Sequence, residues 1–397
     1  MWEKVRLGDY YLYQEGPGVR KNQFKNKGVK LLNVGNINNN KLQLDTTDKF
    51  IDIEEANNKY KHFLLNEGDL VIACSGIVVT KFESKIAFVE KSNLPLCLNT
   101  STMRFNTIDA LNADIHFLYY YLQTLSFKKQ IGRLITGSAQ LNFGPSHIKQ
   151  IEIPLPPLEI QQQIVAILNK ADRLRQLDKA IEEKYDALAQ SIFIDMFGDP
   201  VKNEKGWEVK KLGDLCSKIY GGGTPSKTRK EFYDNGTISW ITPKDMKTQY
   251  VSESLIKITK NSLLESSVKL IPKGALLMVI RSGILKRKLP IAINNVDVTI
   301  NQDMKGFVFV DEIKTIYMFY FFKAIEKNLL TNVRAVTADN IEFNVIRELK
   351  VITPSIELQN EFARKIVIIN QMKEQGMKGE ELFQALLQKA FKGELVS

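Results

Sequence analysis

The strongest constraint on the fold of this chain is that its second half repeats its first. Trp2, Glu3, Leu7, Gly8 and Asp9 return as Trp207, Glu208, Leu212, Gly213 and Asp214, at an offset of 205 residues (207 − 2). Pro156, Leu158, Glu159 and Gln161 return as Pro354, Ile356, Glu357 and Gln359, at an offset of 198 residues (354 − 156). A duplication of this length indicates two similar modules in one chain. Two modules suit a target that itself has two parts.

The charge of the chain favours a polyanionic partner. The 397 residues carry a formal net charge of +10 and a sequence pI near 9.2, which points to nucleic acid or an anionic membrane surface. No segment has the roughly 20 apolar residues that a membrane-spanning helix needs, and the first residues lack the apolar core of a signal peptide. Three scattered cysteines read as reduced thiols, without metal-ligand spacing to the histidines. We therefore expect a cytoplasmic protein with no metal site.

Each half opens with about 150 residues of mixed, mostly strand-like pattern. Short β-type runs occupy residues 71–73, 86–89, 276–280 and 306–310. Residues 115–122 and 316–322 are aromatic-rich helix candidates, and we expect both of them to be core elements rather than stacking platforms. Trp240 is likewise expected to pack in a core.

A long helix is predicted to follow each mixed region, after prolines that forbid helix before them. In the first copy, apolar residues at alternating spacings of 4 and 3 form a coiled-coil seam, broken only at Asp178: Ile160, Ile164, Ile167, Ala171, Leu174, Ile181, Tyr185, Leu188 and Ile192. Arg175 is assigned to the solvated charged face. The second copy runs from Glu357 to about Phe391, and Gly376 and Gly379 predict a kink or a loosened turn in its middle. Two helices of equal length with matched seams are expected to pair antiparallel.

Five segments together resemble one known family. They are residues 207–214 (WEVKKLGD), 221–226 (GGGTPS), 236–240 (GTISW), 136–143 (TGSAQLNF) and 151–161 (IEIPLPPLEIQ). Together, in their order along the chain and duplicated around two helices, they make the chain similar to the specificity subunit of a type I restriction–modification system. The resemblance covers essentially all 397 residues.

The resemblance implies an α+β fold with two duplicated mixed α/β target recognition domains, separated by two long antiparallel coiled-coil helices in a pseudo-two-fold arrangement. The corresponding segments are residues 1–157 and 198–355 for the recognition domains, and 158–197 and 356–397 for the helices. It further implies that each domain reads half of a bipartite double-stranded DNA site. The helices would dock two methyltransferase subunits, which restriction subunits could join, and the chain itself would have no catalytic activity.

The two copies differ at two places that the family pattern emphasises. The first module has Gly16-Pro17-Gly18-Val19-Arg20 in place of the 221–226 segment, and the second has residues 333–340 (VRAVTADN) in place of 136–143. These differences fit two modules that read different DNA sequences.

No cofactor is expected, because the chain lacks a dinucleotide fingerprint and a phosphate loop, and its single Pro-Pro pair is flanked by leucines rather than set in a methyltransferase tetrad. Neither a methyl donor nor ATP should bind to the chain alone. The glycines at 221–223 are interpreted as a flexible turn rather than as a phosphate cradle.

Lysines and arginines should contact DNA phosphates, and polar side chains should contact base edges. The candidate residues in the first module are Arg20, Lys21, Lys25, Lys81, Arg133, Gln140 and Asn142. In the second module they are Thr224, Ser226, Lys227, Arg229, Lys230, Lys244, Arg281, Lys286, Arg287, Lys288 and Arg334.

Two other functions remain open at this point. Asp69, Glu83 and Lys85 have the order of a metal-dependent nuclease site, although Ala275 stands where the second copy should repeat Asp69. The chain could also be a coiled-coil adaptor whose two modules bind proteins. Binding that weakens steeply with salt would distinguish a DNA reader from such an adaptor.

Overall fold

The computed structural model describes residues 2–46, 49–77, 79–135, 142–334, 340–376 and 378–396. The chain forms two compact units: unit 1 comprises residues 1–178 and 377–397, and unit 2 comprises residues 179–376. The four-part division expected from the sequence cuts the chain at other places and stays a prediction. Within the described ranges, no helix is long and apolar enough to cross a membrane.

The strands of unit 1 build two sheets and two short pairs. They are β1 (Lys4–Arg6), β2 (Tyr11–Glu15), β3 (Val29–Leu32), β4 (Ile37–Asn38), β5 (Lys41–Leu42), β6 (Phe50–Ile51), β7 (Leu70–Ala73), β8 (Ile86–Phe88), β9 (Leu96–Leu98), β10 (Thr102–Thr107) and β11 (Glu152–Pro154). The larger sheet has the antiparallel order β2-β10-β7-β8, and the smaller has the order β6-β3-β9 with β3 parallel to β9. The remaining pairs are β1-β11 and β4-β5.

Unit 2 repeats this arrangement. Its strands are β12 (Val209–Lys211), β13 (Cys216–Gly221), β14 (Ile238–Ile241), β15 (Tyr250–Val251), β16 (Lys257–Ile258), β17 (Leu276–Val279), β18 (Ile291–Asn294), β19 (Thr299–Ile300), β20 (Met304–Phe309) and β21 (Lys350–Ile352). The sheet β13-β20-β17-β18-β15 corresponds to the larger sheet of unit 1, β16-β14-β19 to the smaller one, and β12-β21 to β1-β11. The predicted duplication and the four predicted β-runs are therefore confirmed.

The helices are α1 (Leu7–Tyr10), α2 (Ile53–Asn57), α3 (Ile115–Gln123), α4 (Leu125–Leu134), α5 (Pro145–Ile148), α6 (Leu158–Phe197), α7 (Lys260–Glu265), α8 (Thr315–Arg334), α9 (Phe343–Arg347), α10 (Ile356–Gly376) and α11 (Gly379–Lys392). The two aromatic segments lie in α3 and α8, and residues 117–122 and 317–322 are buried, as predicted. Trp240 is also buried, and its indole Nε1 donates to Gly223 O (3.0 Å).

The long helices begin and end where the sequence provides signals. Pro156 and Pro157 precede α6, while Gly198 (φ +78°) and Gly393 (φ +77°) follow α6 and α11 in the left-handed conformation typical of helix C-termini. The second long helix is divided into α10, which ends at Gly376, and α11, which begins at Gly379. This division confirms the break predicted from these two glycines.

The helices pair antiparallel within each unit. In unit 2, Lys373 of α10 forms an ion pair with Asp186 of α6, whereas Phe362 near the start of α10 packs on Phe193, at 5.6 Å between ring centroids. In unit 1, Gly379 N at the start of α11 donates to Asp178 Oδ2 (2.8 Å), and Phe383, further along α11, contacts Arg175, which lies earlier in α6. The predicted fold class, duplicated α+β modules with antiparallel long helices, is confirmed.

The predicted seam of α6 is only partly correct. Ile164 and Ala171 are buried, but Leu174, Ile181 and Leu188 are about half exposed. A straight helix has 3.6 residues per turn, so a pattern counted in heptads drifts by roughly 20° per heptad away from the buried face. The buried face continues instead through Ala189, Phe193 and Phe197.

The assignment of Arg175 to the solvated face is wrong. Its side chain is buried, forms ion pairs with Asp172 and Glu380, and places the guanidinium carbon 4.0 Å from the centre of the Phe383 ring. A planar guanidinium can stack on an aromatic ring while it donates hydrogen bonds within its own plane. Arg175 therefore belongs to the packing between α6 and α11.

Candidate nucleic-acid interface

In unit 2, a tight turn between β19 and β20 brings two loops together. Met304 N donates to Asn301 O (3.2 Å) and closes residues 301–304 into the Asn301 turn. Gly222 lies so close to this turn that a Cβ atom on it would be 1.6 Å from Asn301 O. Gly223 N in addition donates to Ile300 O (3.0 Å). The interpretation of this glycine segment as a flexible turn is wrong, because its glycines allow close backbone packing.

Polar side chains meet at the Asn301 turn. The Thr224 hydroxyl donates to Gln302 Oε1, which joins the glycine loop to the tip of the turn. Arg281, which follows β17, donates from Nε (2.8 Å) and Nη2 (2.7 Å) to Asp303 Oδ1. The structure thus brings together Thr224 and Arg281, which the sequence singled out. It adds Gln302 and Asp303, which sequence reasoning missed because a short polar turn carries no distinctive pattern.

The densest basic segment continues from the same loop. Lys286 ends a 3₁₀ helix (Gly283–Lys286), and the side chains of Lys286, Arg287 and Lys288 are all exposed. Behind this loop, Ile341 N donates to Ile280 O (2.7 Å), and Arg281 pairs with Asn340 through an isolated β-bridge. The start of the loop after β17 is therefore held by Asp303 on one side and by residues 340–341 on the other.

Unit 1 has the same construction with different side chains. Thr102 N donates to Asn99 O (3.1 Å) and closes residues 99–102 into the Asn99 turn. A Cβ atom on Gly16 would be 2.3 Å from Asn99 O, which makes Gly16 the counterpart of Gly222. The Thr100 hydroxyl donates to Pro17 O (2.9 Å). The segment that replaces Gly-Gly-Thr-Pro-Ser in the first module therefore packs on its turn in the same way.

The loop after β7 in unit 1 corresponds to the loop that carries Arg281. Asn142 Oδ1 accepts from Ser75 Oγ (2.8 Å) and Gly76 N (3.0 Å), and Phe143 N donates to Cys74 O (3.0 Å). Asn142 is exposed and lies near the end of a central strand, but its carboxamide oxygen already accepts two hydrogen bonds from the loop. This residue thus positions the Ser75-Gly76 corner.

The remaining candidates are placed as follows. Exposed side chains belong to Arg20, Lys21, Lys25, Arg133, Ser226, Lys227, Lys230 and Lys244. Arg20, Lys21 and Lys25 lie on the segment that follows the Gly16 loop, whereas Arg133 lies on α4. Gln140 and the side chains of Lys81 and Arg334 lie outside the described residues.

Arg229, like Arg281, is a candidate whose guanidinium is already paired with a carboxylate. Its guanidinium pairs with Glu231 (2.6 Å) and Glu265 (2.7 Å), and its central carbon lies 4.0 Å from the centre of the Phe232 ring. Two carboxylates neutralise the charge that a phosphate would otherwise bind. A direct role of Arg229 in DNA binding stays a prediction.

The nuclease alternative does not agree with the side-chain contacts. Asp69 is buried and accepts from Asn66 N (2.8 Å) and Asn106 Nδ2 (2.9 Å), whereas Glu83 forms an ion pair with Lys128. The Lys85 amine donates to Ile37 O (2.7 Å) and Asn38 Oδ1 (2.7 Å), and burial lowers its pKa. The three groups have separate structural partners. Among the described residues, no cluster of three or more His, Cys, Asp or Glu side chains could hold a metal ion.

The cysteine thiols are poor nucleophiles in this structure. Burial raises the pKa of Cys74, Cys97 and Cys216 to about 12 in each case. A thiol with such a pKa is protonated at neutral pH, and the thiolate is the reactive form.

Comparison with known proteins defines the family. The model of the type I restriction modification DNA specificity domain matches residues 1–184 and 204–373. Because these two matches cover most of the chain, the protein belongs to the family of type I restriction modification DNA specificity domains.

Two curated relatives are specificity subunits of type I restriction enzymes. The EcoR124I/EcoR124II subunit of Escherichia coli is 32% identical over 268 residues, which cover 65% of this chain and 63% of that protein. The MjaIX subunit of Methanocaldococcus jannaschii is 29% identical over 196 residues, which cover 48% of this chain and 44% of the relative. The chain thus spans less than two thirds of the length of each. A crystal structure of the S subunit of the type I restriction–modification system from M. genitalium covers 98% of this chain and 96% of its own, at 16% identity and a TM-score of 0.49.

Proposed function

We propose that this chain is the non-catalytic subunit of a type I restriction–modification system that reads a bipartite double-stranded DNA site, one half with each module. The main support is that both modules contain the same turn packed against a glycine, but the polar side chains at the tip of the turn differ. The Asn99 turn meets Pro17 through Thr100, and the Asn301 turn meets Thr224 through Gln302. A common scaffold with different polar tips is what two readers of different sequences require.

Affinity for DNA is supported by the charge of the chain. The net charge is +10, and many of the cationic candidates in both modules are exposed. Such side chains bind phosphates and release counterions, so binding should weaken steeply as salt rises. A protein-binding adaptor would lack this dependence, which makes a salt titration with DNA the simplest way to separate the two functions.

Methyltransferase subunits are the proposed partners of the long helices, and catalysis would belong to them. Apolar side chains on α6 are exposed in each unit: Leu174 (50%) and Leu177 (49%) in unit 1, and Ile181 (45%) and Leu188 (45%) in unit 2. Val367 and Ile368 of α10 are exposed in unit 2 as well. Apolar residues clustered on a helix surface favour docking of another protein. One such surface in each unit suits two methyltransferase subunits, and restriction subunits would join this complex.

The DNA methylation pattern of the host, with and without this chain, tests the function. In the host without the chain, we expect one methylated motif to be lost, and this motif should consist of two short halves around a gap of fixed length and unspecified sequence. Replacing residues 1–157 by the module of another specificity subunit should then change only one half of that motif. Retention of the original motif by the chimera would contradict the proposal, as would cleavage of DNA by the chain alone.

A further inference from the structure

The Asn301 turn presents one side chain whose contacts suit reading of a base. Gln302 is exposed at the tip of the turn, while its neighbours Asn301 and Met304 are buried. Its Oε1 accepts from the Thr224 hydroxyl, which orients the carboxamide. A carboxamide oxygen has two lone pairs, and the amide nitrogen has two donors, so Gln302 retains one acceptor and its donors for a ligand.

The backbone beneath Gln302 is fixed by several independent contacts. Asn301 N donates to Ile241 O (3.0 Å), and Asn301 Nδ2 donates to Asp303 Oδ2 (3.0 Å). Gly222 packs against the same turn from the other side. A reading side chain on such a turn loses little conformational freedom on binding, because the loop is already ordered.

Cationic side chains lie on the loop next to this tip. Arg281 is bound to Asp303, the residue next to Gln302, so that carboxylate balances part of its charge. The exposed basic residues 286–288 follow on the same loop. Contacts to phosphates position a protein on the duplex, and contacts to base edges specify the sequence, so a carboxamide next to a cationic loop suits the second task.

We propose that Gln302 reads an adenine in the half-site of the second module, and that Thr100 occupies the equivalent reading position in the first. In the major groove, adenine presents the N7 acceptor and the N6 donor, which match the donor and acceptor of one glutamine side chain. Thr100 follows Asn99 as Gln302 follows Asn301, and it is likewise exposed. This inference rests on the proposed function and adds a residue and a base to it.

The test compares methylation motifs written by the complete complex in the host. Gln302→Ala should make one adenine position of one half-site degenerate, with a loss of roughly tenfold or more in preference for adenine. Gln302→Glu should shift the preference at that position towards cytosine, whose N4 donates to carboxylates. Thr100→Ala should alter the other half-site only. Asn261→Ala, an exposed carboxamide on α7 in the same unit, is the matched control and should leave the motif unchanged.

An unchanged motif in Gln302→Ala, alongside a bipartite motif in the wild type, would overturn this inference and leave the proposed function intact. If the complex that contains the wild-type chain methylates no bipartite motif, the proposed function itself fails. Should Gln302→Ala abolish methylation, binding of the purified complex to duplexes substituted at each position decides the matter. A loss of affinity that is equal for all sequences would overturn a role in base reading.

Discussion

At the residue scale, one buried glutamine in each unit holds a long helix against its module. Gln161 Nε2 donates to Asn112 O (2.9 Å) and Pro156 O (2.7 Å), and its Oε1 accepts from Asp114 N (3.0 Å). Gln359 makes the corresponding three bonds to Glu312 O (3.1 Å), Pro354 O (2.8 Å) and Lys314 N (2.9 Å). Both side chains are fully buried. Each glutamine thus joins the first turn of a helix to the loop that precedes an aromatic helix.

Gln161→Leu should lower the free energy of unfolding by about 3 kcal/mol, because it removes three hydrogen bonds of a fully buried side chain, to Asp114 N and to the carbonyls of Asn112 and Pro156. Gln359→Leu should have the same effect through unit 2. Urea unfolding followed by circular dichroism measures the change. Gln163→Leu, on an exposed position of α6, is the control and should stay within about 0.5 kcal/mol of the wild type. Equal stability of Gln161→Leu and Gln163→Leu would show that these hydrogen bonds contribute nothing.

Two glycines near the break between α10 and α11 should respond differently to alanine. A Cβ atom on Gly379 would be 2.5 Å from Asp178 Oδ2 and 3.0 Å from the Arg175 backbone, so Gly379→Ala should cost about 1–3 kcal/mol in stability. A Cβ atom on Gly376 would meet nothing within 4 Å, so Gly376→Ala should be neutral or stabilise by up to about 1 kcal/mol. Thermal unfolding of the two variants measures the difference. A destabilised Gly376→Ala beside a native-like Gly379→Ala would contradict the packing described for α6 and α11.

These residue roles show how far sequence reasoning extends. The repeat identified Gln161 and Gln359 as equivalent, but their partners at Asn112 and Glu312 lie more than 40 residues away in the chain. Asp178 was recognised as a polar break in an apolar pattern. Its role in accepting the N–H of Gly379 depends on a helix that begins 201 residues later. Periodicity reports which face of a helix is buried, but not which distant group binds to it.

At the scale of elements, substitutions of the exposed apolar side chains of α6 should affect the binding of partner subunits without affecting the stability of the fold. Leu177 and Leu188 are 49% and 45% exposed, so Leu177→Asp and Leu188→Asp should leave the unfolding transition nearly unchanged. If methyltransferase subunits dock there, each substitution should weaken their binding by roughly tenfold or more, because it buries a charge in an apolar contact. Size-exclusion chromatography and calorimetric titration with the purified methyltransferase measure the effect.

Ala187→Asp is the matched control for these substitutions. Ala187 is exposed on the same helix, and its neighbour Leu188 projects about 100° away around the helix axis. The control introduces the same charge and a slightly larger loss of helix propensity, because Ala is a better helix former than Leu. Wild-type binding by Leu177→Asp and Leu188→Asp would exclude α6 as the docking surface, and equal weakening by Ala187→Asp would show that the effect is not specific to the apolar side chains.

The elements themselves were predictable where the local pattern decides them. Prolines, glycines and apolar runs located the central strands, both aromatic helices and the division near Gly376 and Gly379. The buried face of α6 was not predictable from the heptad count, because Leu174, Ile181 and Leu188 are as apolar as the residues that are buried. Which apolar residues of α6 become buried depends on the elements that pack against the helix.

At the scale of the whole molecule, the duplication predicted two modules but not how the helices are shared. The core of unit 1 combines Ile164 and Leu168 of α6 with Phe383 and Leu387 of α11, from the other end of the chain. The candidate interface was predictable in part, since Thr224 and Arg281 were named and meet at one turn. Gln302 escaped notice because its importance arises from the packing of Gly222 on Asn301, which no local pattern encodes.

The two tryptophans of the repeat lead to a prediction about chain connectivity. In unit 2, Trp207 Nε1 donates to Phe197 O (2.7 Å) at the end of α6, and eight residues, 199–206, connect Gly198 to Trp207. In unit 1, Trp2 Nε1 donates to Ala390 O (3.4 Å) at the end of α11, without a covalent connection. Residues 394–397 and residue 1 supply five of the eight positions needed for an equivalent connection, so a linker of three residues (8 − 5) would complete it.

A circular permutant that begins at residue 207, joins residue 397 to residue 1 through this linker and ends at residue 206 should therefore fold. It should write the same methylation motif as the wild type and unfold within about 1 kcal/mol of it, because both tryptophan contacts are retained and the new ends lie in a surface connection. A permutant opened within β17, which is buried at every position, is the control and should not fold. Loss of the motif in the first permutant, with the linker intact, would mean that the covalent connection at 198–206 positions unit 2 in a way that packing alone does not.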